Sequence, residues 1–264
     1  MIANAVLVTV GIGVFIYRNT SNAAWSYLYY ILFYFYFTSL NATRQYIALV
    51  LAINSYYYIR NKRLIPAVLL IAAATMVHNT AVVLAVALPL IYLKLDTRRW
   101  MLCGILGGTA MLFSSQLLAL FVQVFDRYSM YVDGSSPYSI GDVGENRKIV
   151  ITLLYLVIVL VAVYLLTYRR HLFSEEERSR LYQCSLILLV AVFVGFASTR
   201  SLLLSRVEMY FSVFVILVVP DLLKVFGRWK YVIYFASFVA VGAAMTIQLL
   251  DNLSHVVPYR FFQR

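Results

Sequence analysis

The sequence predicts an all-α polytopic membrane protein with about nine to ten membrane segments, and three observations lead there. Of its 264 residues, 63% are hydrophobic and only 12% are charged. The mean hydropathy is +0.83, outside the range of soluble domains of this length. Most apolar runs continue for about 16 residues or more without a charge and close on a short cluster of Lys or Arg, the pattern of spanning helices.

The runs in order are Ile2 to Tyr17, Ala24 to Ser39, Arg44 to Ile59, Leu64 to Leu93, Trp100 to Phe125, Ile149 to Tyr168, Leu181 to Ala197, Val207 to Leu223 and Tyr231 to Leu250. The first lacks a basic leader and puts its first charge, Arg18, after the apolar stretch, so it does not read as a cleavable signal. With Arg18 inside, this helix starts outside, as expected of a chain that begins part-way into a longer pattern. The fourth run, 30 residues between "RNKR" and "KLDTRR", is either one tilted helix or a hairpin. As a hairpin it leaves 14 of the 22 basic residues inside; as one crossing it leaves 11. The positive-inside rule therefore selects a hairpin of two short half-helices over residues 64–93. Each arm, at about 15 residues, reaches roughly 22 Å against a hydrocarbon core of about 30 Å. The tip His78-Asn79-Thr80 is thus expected below the outer surface, where irregular backbone must be buried in protein or line a wet cavity.

Two loops complete the layout. Residues 126–148, "DRYSMYVDGSSPYSIGDVGENRK", are rich in Gly, Ser and Pro and read as the long outward loop. Residues 169–180 form a basic cytoplasmic loop with an acidic middle, in which Ser174 and Glu177 have the spacing of a capping box. With no internal repeat and no linker, residues 1–264 read as a single transmembrane domain.

Composition also removes some functions. The net charge of +11 reflects basic residues facing anionic lipid, so nucleic acid is not an expected partner. Cys103 and Cys184 both lie in apolar runs, and no His, Cys, Asp or Glu spacing suggests a metal. There is no P-loop, no GxGxxG in a strand context and no GxSxG. No cofactor is expected.

The candidate chemistry gathers at the outward ends. Arg44 stands in the first turn of its helix, where the macrodipole disfavours a second positive charge unless an anion is present. Asn41, Arg44, Gln45 and Ala48 have the spacing of one helical face, and a guanidinium suits bidentate contact with phosphate. The alternative is an arginine reaching out to headgroups. His78 is the histidine within an apolar run; it reads either as an interhelical hydrogen-bond partner or as a general base for an acceptor hydroxyl. Arg200, Arg206, Glu208 and Tyr210 follow on a later segment, where Arg206 and Tyr210 share a face as i and i+4. There a local ion pair competes with anion binding. Asp251, His255 and Tyr259 lie at the last outward end. The 22 tyrosines read first as belt residues, with some able to stack on sugars.

From Thr38 to Leu93 the chain resembles the EpsG family, Wzy-like bacterial membrane proteins of exopolysaccharide and O-antigen polymerisation. The matching features are Asn41, Arg44 and Gln45, then "RNKR", then the small residues Ala72 to Ala74 before His78. "SRVEMYFSVFVILVVP", with Arg206, Tyr210 and Pro220, resembles an Arg-x-x-x-Tyr helix ending in proline, and "VPYRFF" a closing Pro-Tyr segment. Family members usually carry a further helix and outward loop ahead of this point, which this chain is expected to lack. The resemblance implies an outer-leaflet glycosyltransferase of the bacterial plasma membrane. Its substrate would be a polyprenyl-diphosphate-linked oligosaccharide, with membrane lipid, flippase and chain-length regulator proteins as partners. Arg44, Arg200 and Arg206 would hold the diphosphate, with Asn41, Gln45 and Tyr210 beside the substrate and His78 or Glu208 as base. A flippase for the same lipid-linked glycan, or a non-catalytic subunit of an export complex, are the alternatives.

Overall fold

The computed structural model describes residues 2–20, 22–92, 145–199 and 202–251, with scattered positions from 100 to 116. Among these no strand occurs, and the all-α reading stands. Three stretches are long and apolar enough to cross a membrane, Lys148–Tyr168, Glu175–Ser198 and Leu204–Leu250, and Ala3–Asn19 and Leu64–Val77 are shorter apolar helices. Contacts group the chain into two compact units, Met1–Val82 with Ile216–Arg264, and Val83–Val215.

In the first unit, α1 (Ile2–Asn19) leads through a short connection to α2 (Ala23–Leu32). A Cβ placed on Gly13 would meet the Tyr27 hydroxyl, so α2 runs back along α1. No Gly or Pro interrupts "ILFYFYF", yet the helix breaks where Tyr34 adopts φ 69°, the left-handed region that bulky residues rarely occupy. The chain resumes as α3 (Phe35–Asn41), bends at Ala42, and continues as α4 (Thr43–Arg60). Helix α4 runs parallel to α1. Gly11 lies against Val50, Asn54 Nδ2 donates to the Gly11 carbonyl at 3.0 Å, and the Arg18 guanidinium sits 5.0 Å over the Tyr57 ring. Such small-residue approach and interhelical amide bonding are what hold helices together where lipid removes the hydrophobic incentive. A β-branched side chain at Gly11 should overpack this seam. Gly11→Val is expected to cost about 1–3 kcal/mol, read as a lower thermal midpoint in detergent, and Val50→Ala in the same chain should recover most of it.

Helix α4 closes in a Schellman turn: Lys62 N–H bonds the Ile59 carbonyl and Arg63 N–H the Tyr58 carbonyl, both at 2.8 Å, with Lys62 at φ 57° where glycine is usual. The chain then reverses into α5 (Leu64–Val77), whose Pro66 sits in the first turn, where its missing N–H costs nothing. Ala67, Ile71 and Ala74 form its buried seam, and Leu64, Ile65, Val68, Leu69 and Met76 its exposed face. Helix α11 (Lys230–Leu250) runs parallel to α2. Trp25 stacks on Tyr234 at 4.1 Å, Tyr29 bonds Ser237, and Tyr34 Oη donates to the Gln248 carbonyl at 3.5 Å. Tyr234 Oη also accepts from Asn22 at 3.0 Å and donates to the Pro220 carbonyl at 2.9 Å, tying in α10 (Val215–Leu223). These pairings sort the unit by charge. Arg18, Arg60, Lys62, Arg63 and Lys230 gather at one end, while Arg44, His78 and Asp251 mark the other.

Val77 ends α5 where the sequence expects the tip: His78 is extended, at φ −152° and ψ 115°. A 3₁₀ turn over Asn79–Val82 follows. The second arm departs from a single half-helix. It consists of α6 (Val83–Ala87) and a 3₁₀ stretch over Leu88–Tyr92, because Pro89 offers no N–H and its ring crowds the carbonyl four residues back.

In the second unit, α7 (Glu145–Tyr168) and α8 (Glu175–Ser198) each span about 36 Å at helical rise. Their connection holds the expected capping box: Ser174 Oγ accepts from Glu177 N–H at 3.2 Å and Glu177 Oε2 from Ser174 N–H at 3.1 Å. Thr152 fits against Gly195, bringing the two backbones close. Helix α9 (Leu202–Ser212) packs on α8. The expected Val207 to Leu223 run is thus split near Val213 and Phe214, not at Pro220, which lies inside α10. The run from 117 to 125 and the outward loop up to residue 144 lie outside the described residues.

Candidate functional site

The head of α4 is made by the bend at Ala42, a residue whose side chain has nothing with which to cap the helix. That leaves the positive pole of α4 without a side-chain acceptor, and Arg44 adds its guanidinium one residue further on. Arg44 and Asn41 are exposed, whereas Gln45 is 6% exposed and Ala48 fully buried. The expected strip of Asn41, Arg44, Gln45 and Ala48 is therefore not one face. The bend at Ala42 separates Asn41, at the end of α3, from the residues of α4, and Gln45 turns into the unit with Ala48.

His78 belongs to the same end of the same unit. Helices α4 and α5 are antiparallel about a three-residue turn, so counting back from the turn sets His78 at about the level of Tyr46, roughly 3 Å deeper than Arg44 along the axis. The 3₁₀ turn after His78 packs on both helices. His78 itself is half-buried, its N–H bonded to the Ala74 carbonyl at 2.9 Å and its own carbonyl accepting from Ala81 N–H at 3.0 Å. Its Nδ1 lies 2.7 Å from Thr80 Oγ1. That bond links the tautomer to the hydroxyl: when Nδ1 donates to Thr80, Nε2 is the basic nitrogen. Thr80 was visible as part of a polar tip, but its contact with the ring follows from the turn geometry.

In the second unit, Arg206 and Tyr210 do occupy one side of α9 at i and i+4. Arg206 is half-buried and Tyr210 wholly buried, so the phenol faces the unit interior. The Glu208 carboxyl lies near the Ser212 hydroxyl and within Coulombic range of Lys148. Tyr155 lies near the same hydroxyl. Sequence reasoning singled out Glu208 and missed these neighbours, since Lys148 reads as the last residue of a polar loop and Tyr155 as one of many tyrosines. Arg200, His255 and Tyr259 lie outside the described residues. Among the described residues no three His, Cys, Asp or Glu side chains gather as a metal site.

Long apolar helices in two units define a helical membrane protein. The chain belongs to the EpsG family, whose sequence model matches residues 1–261. No curated protein and no solved structure matches it. The family match covers the same stretch as the resemblance, read from Ala24 onward, and the residues before it, and suggests a polysaccharide polymerase-type role.

Proposed function

We propose that the chain is a polysaccharide polymerase that transfers a polyprenyl-diphosphate-linked glycan onto a lipid-linked repeat unit at the outer face of the bacterial plasma membrane. The observation that carries the reading is family membership over residues 1–261. The end of the first unit supports it, since an arginine at an uncapped helix head and a histidine held by a threonine belong to the same end. In the reaction a hydroxyl of the acceptor sugar attacks the anomeric carbon of the donor glycan. The new C–O bond forms as the bond to diphosphate breaks, and the leaving diphosphate keeps the electron pair. Arg44 stabilises that growing negative charge, and His78 takes the hydroxyl proton. Arg206 and Arg200 are the corresponding diphosphate contacts proposed in the later segment, with Glu208 as the other candidate base and Asn41, Gln45 and Tyr210 beside the substrate. Flippase and chain-length regulator proteins are the partners this role would require. Disrupting the gene in a cell making the glycan separates this reading from transport. Single repeat units should then accumulate on the outer leaflet, and their retention on the inner leaflet would identify a flippase instead.

A further inference from the structure

We propose that the basic end of the first unit holds the headgroup of an anionic phospholipid where α1 meets the end of α4, with Arg18 and Lys62 as its phosphate contacts. The site does not depend on the function proposed above.

No Asp or Glu occurs in the sequence before Asp96, so the segment Met1–Val82 brings Arg18, Lys62 and Arg63 to this end with no acid of its own. In the rest of the unit the acids among the described residues are Asp221, bridged to Lys224 at 3.2 Å, and Asp251 at the opposite end. Among the described residues Arg18 and Lys62 make no ion pair. Their charge is left for an anion from outside.

The two cations are held beside each other. The Arg18 guanidinium lies 5.0 Å over the Tyr57 ring and 5.7 Å from that of Tyr58, and its Nη1 donates to Tyr58 Oη at 3.4 Å. These contacts fix the plane of the guanidinium and use one of its five N–H donors, so a phosphate edge meets a group already in place. The turn after α4 is bonded to the backbone of the same tyrosines: Asn61 N–H donates to the Tyr57 carbonyl at 3.2 Å and Arg63 N–H to the Tyr58 carbonyl at 2.8 Å. With the Lys62 N–H also committed, to the Ile59 carbonyl, the turn has no backbone nest for an anion, and side chains must bind it. Lys62 itself stands exposed at φ 57°, a conformation that glycine adopts freely and lysine does not, so a cation is kept at a position where it strains the backbone.

The surroundings select a lipid over a soluble anion. Tyr17, next to Arg18, is 82% exposed, and Leu64 and Ile65, which follow Arg63, are 60% and 77% exposed. Apolar side chains directly below cations complement an amphiphile, whose acyl chains begin beneath its phosphate. A choline or ethanolamine group would bring one more cation to a site with an excess of them, which favours an anionic headgroup. By the positive-inside rule the lipid is one of the inner leaflet.

The test loads the purified full chain with phosphatidylglycerol or phosphatidylcholine and counts the lipid retained after delipidation by native mass spectrometry. Phosphatidylglycerol should be retained about tenfold better, Arg18→Gln should remove most of that advantage, and Arg18→Lys should restore only part of it. Arg170→Gln takes the same charge from the exposed connection before α8 and should change retention by less than about twofold. Equal losses at Arg18 and Arg170, or equal retention of the two lipids, would overturn the site. Excess inorganic phosphate should leave the bound lipid in place; displacement would assign a soluble anion and overturn the lipid. Because Arg18 also joins α1 to α4, Lys62→Gly is the variant that spares the fold. Its thermal midpoint in phosphatidylcholine should be no lower than that of the wild type, since glycine relieves the turn. The rise on adding phosphatidylglycerol, about 5 °C in the wild type, should fall by about half or more. A Lys62→Gly chain that keeps the whole rise would overturn the site as drawn.

Discussion

Replacing Arg44 by alanine is expected to lower the rate of glycan elongation per folded chain by about 10²- to 10³-fold, the usual cost of removing a group aimed at developing negative charge. The side chain is exposed at the head of α4, so folding should be little affected and the chain should purify at wild-type yield. Arg44→Lys should recover only part of the loss, because an ammonium keeps the charge but not the two parallel donors that match a phosphate edge. Elongation by radiolabelled lipid-linked repeat units, normalised to monodisperse protein, measures both. An alanine variant that elongates normally would leave Arg44 as a side chain that merely reaches the headgroups.

His78→Ala should reduce the same rate by about 10²- to 10⁴-fold, the range of a lost general base. Thr80→Val, nearly isosteric but without the hydroxyl held 2.7 Å from Nδ1, should lose a smaller amount, about tenfold. Its effect should fall on kcat and vanish when His78 is already alanine, because a threonine acting through the ring has nothing left to orient. Equal and independent losses at the two positions would mean that they act separately. Both variants disturb a turn that also caps α5 through the backbone of His78, so the thermal midpoint must accompany the rates.

The features legible in the sequence were those written in local chemistry. The capping box of Ser174 and Glu177 forms because the two side chains satisfy backbone groups only three residues apart. The stop at Val77 follows from a charge ledger that required a reversal near His78. What escaped was set by packing between distant segments. Tyr34 breaks a purely aromatic stretch with no glycine or proline to announce it, and its hydroxyl is committed to Gln248, more than 200 residues on. Gln45 has the spacing to stand beside Asn41 and Arg44, but the bend at Ala42 and the burial of α4 turn it inward. Lys148 ends a polar loop in the sequence and becomes half-buried only because Thr152, Tyr155, Val159 and Ala162 carry its face of α7 into the second unit. Helical periodicity states which residues share a face, and tertiary packing decides where that face points.

The central claim is that this chain itself elongates a glycan. Its most direct measurement is reconstitution of the purified protein in liposomes with a polyprenyl-diphosphate-linked repeat unit, the products resolved by chain length. The expected product is a ladder of lipid-linked oligomers that Arg44→Ala and His78→Ala both suppress. Single units recovered unchanged, or carried across the bilayer without any joining, would contradict it.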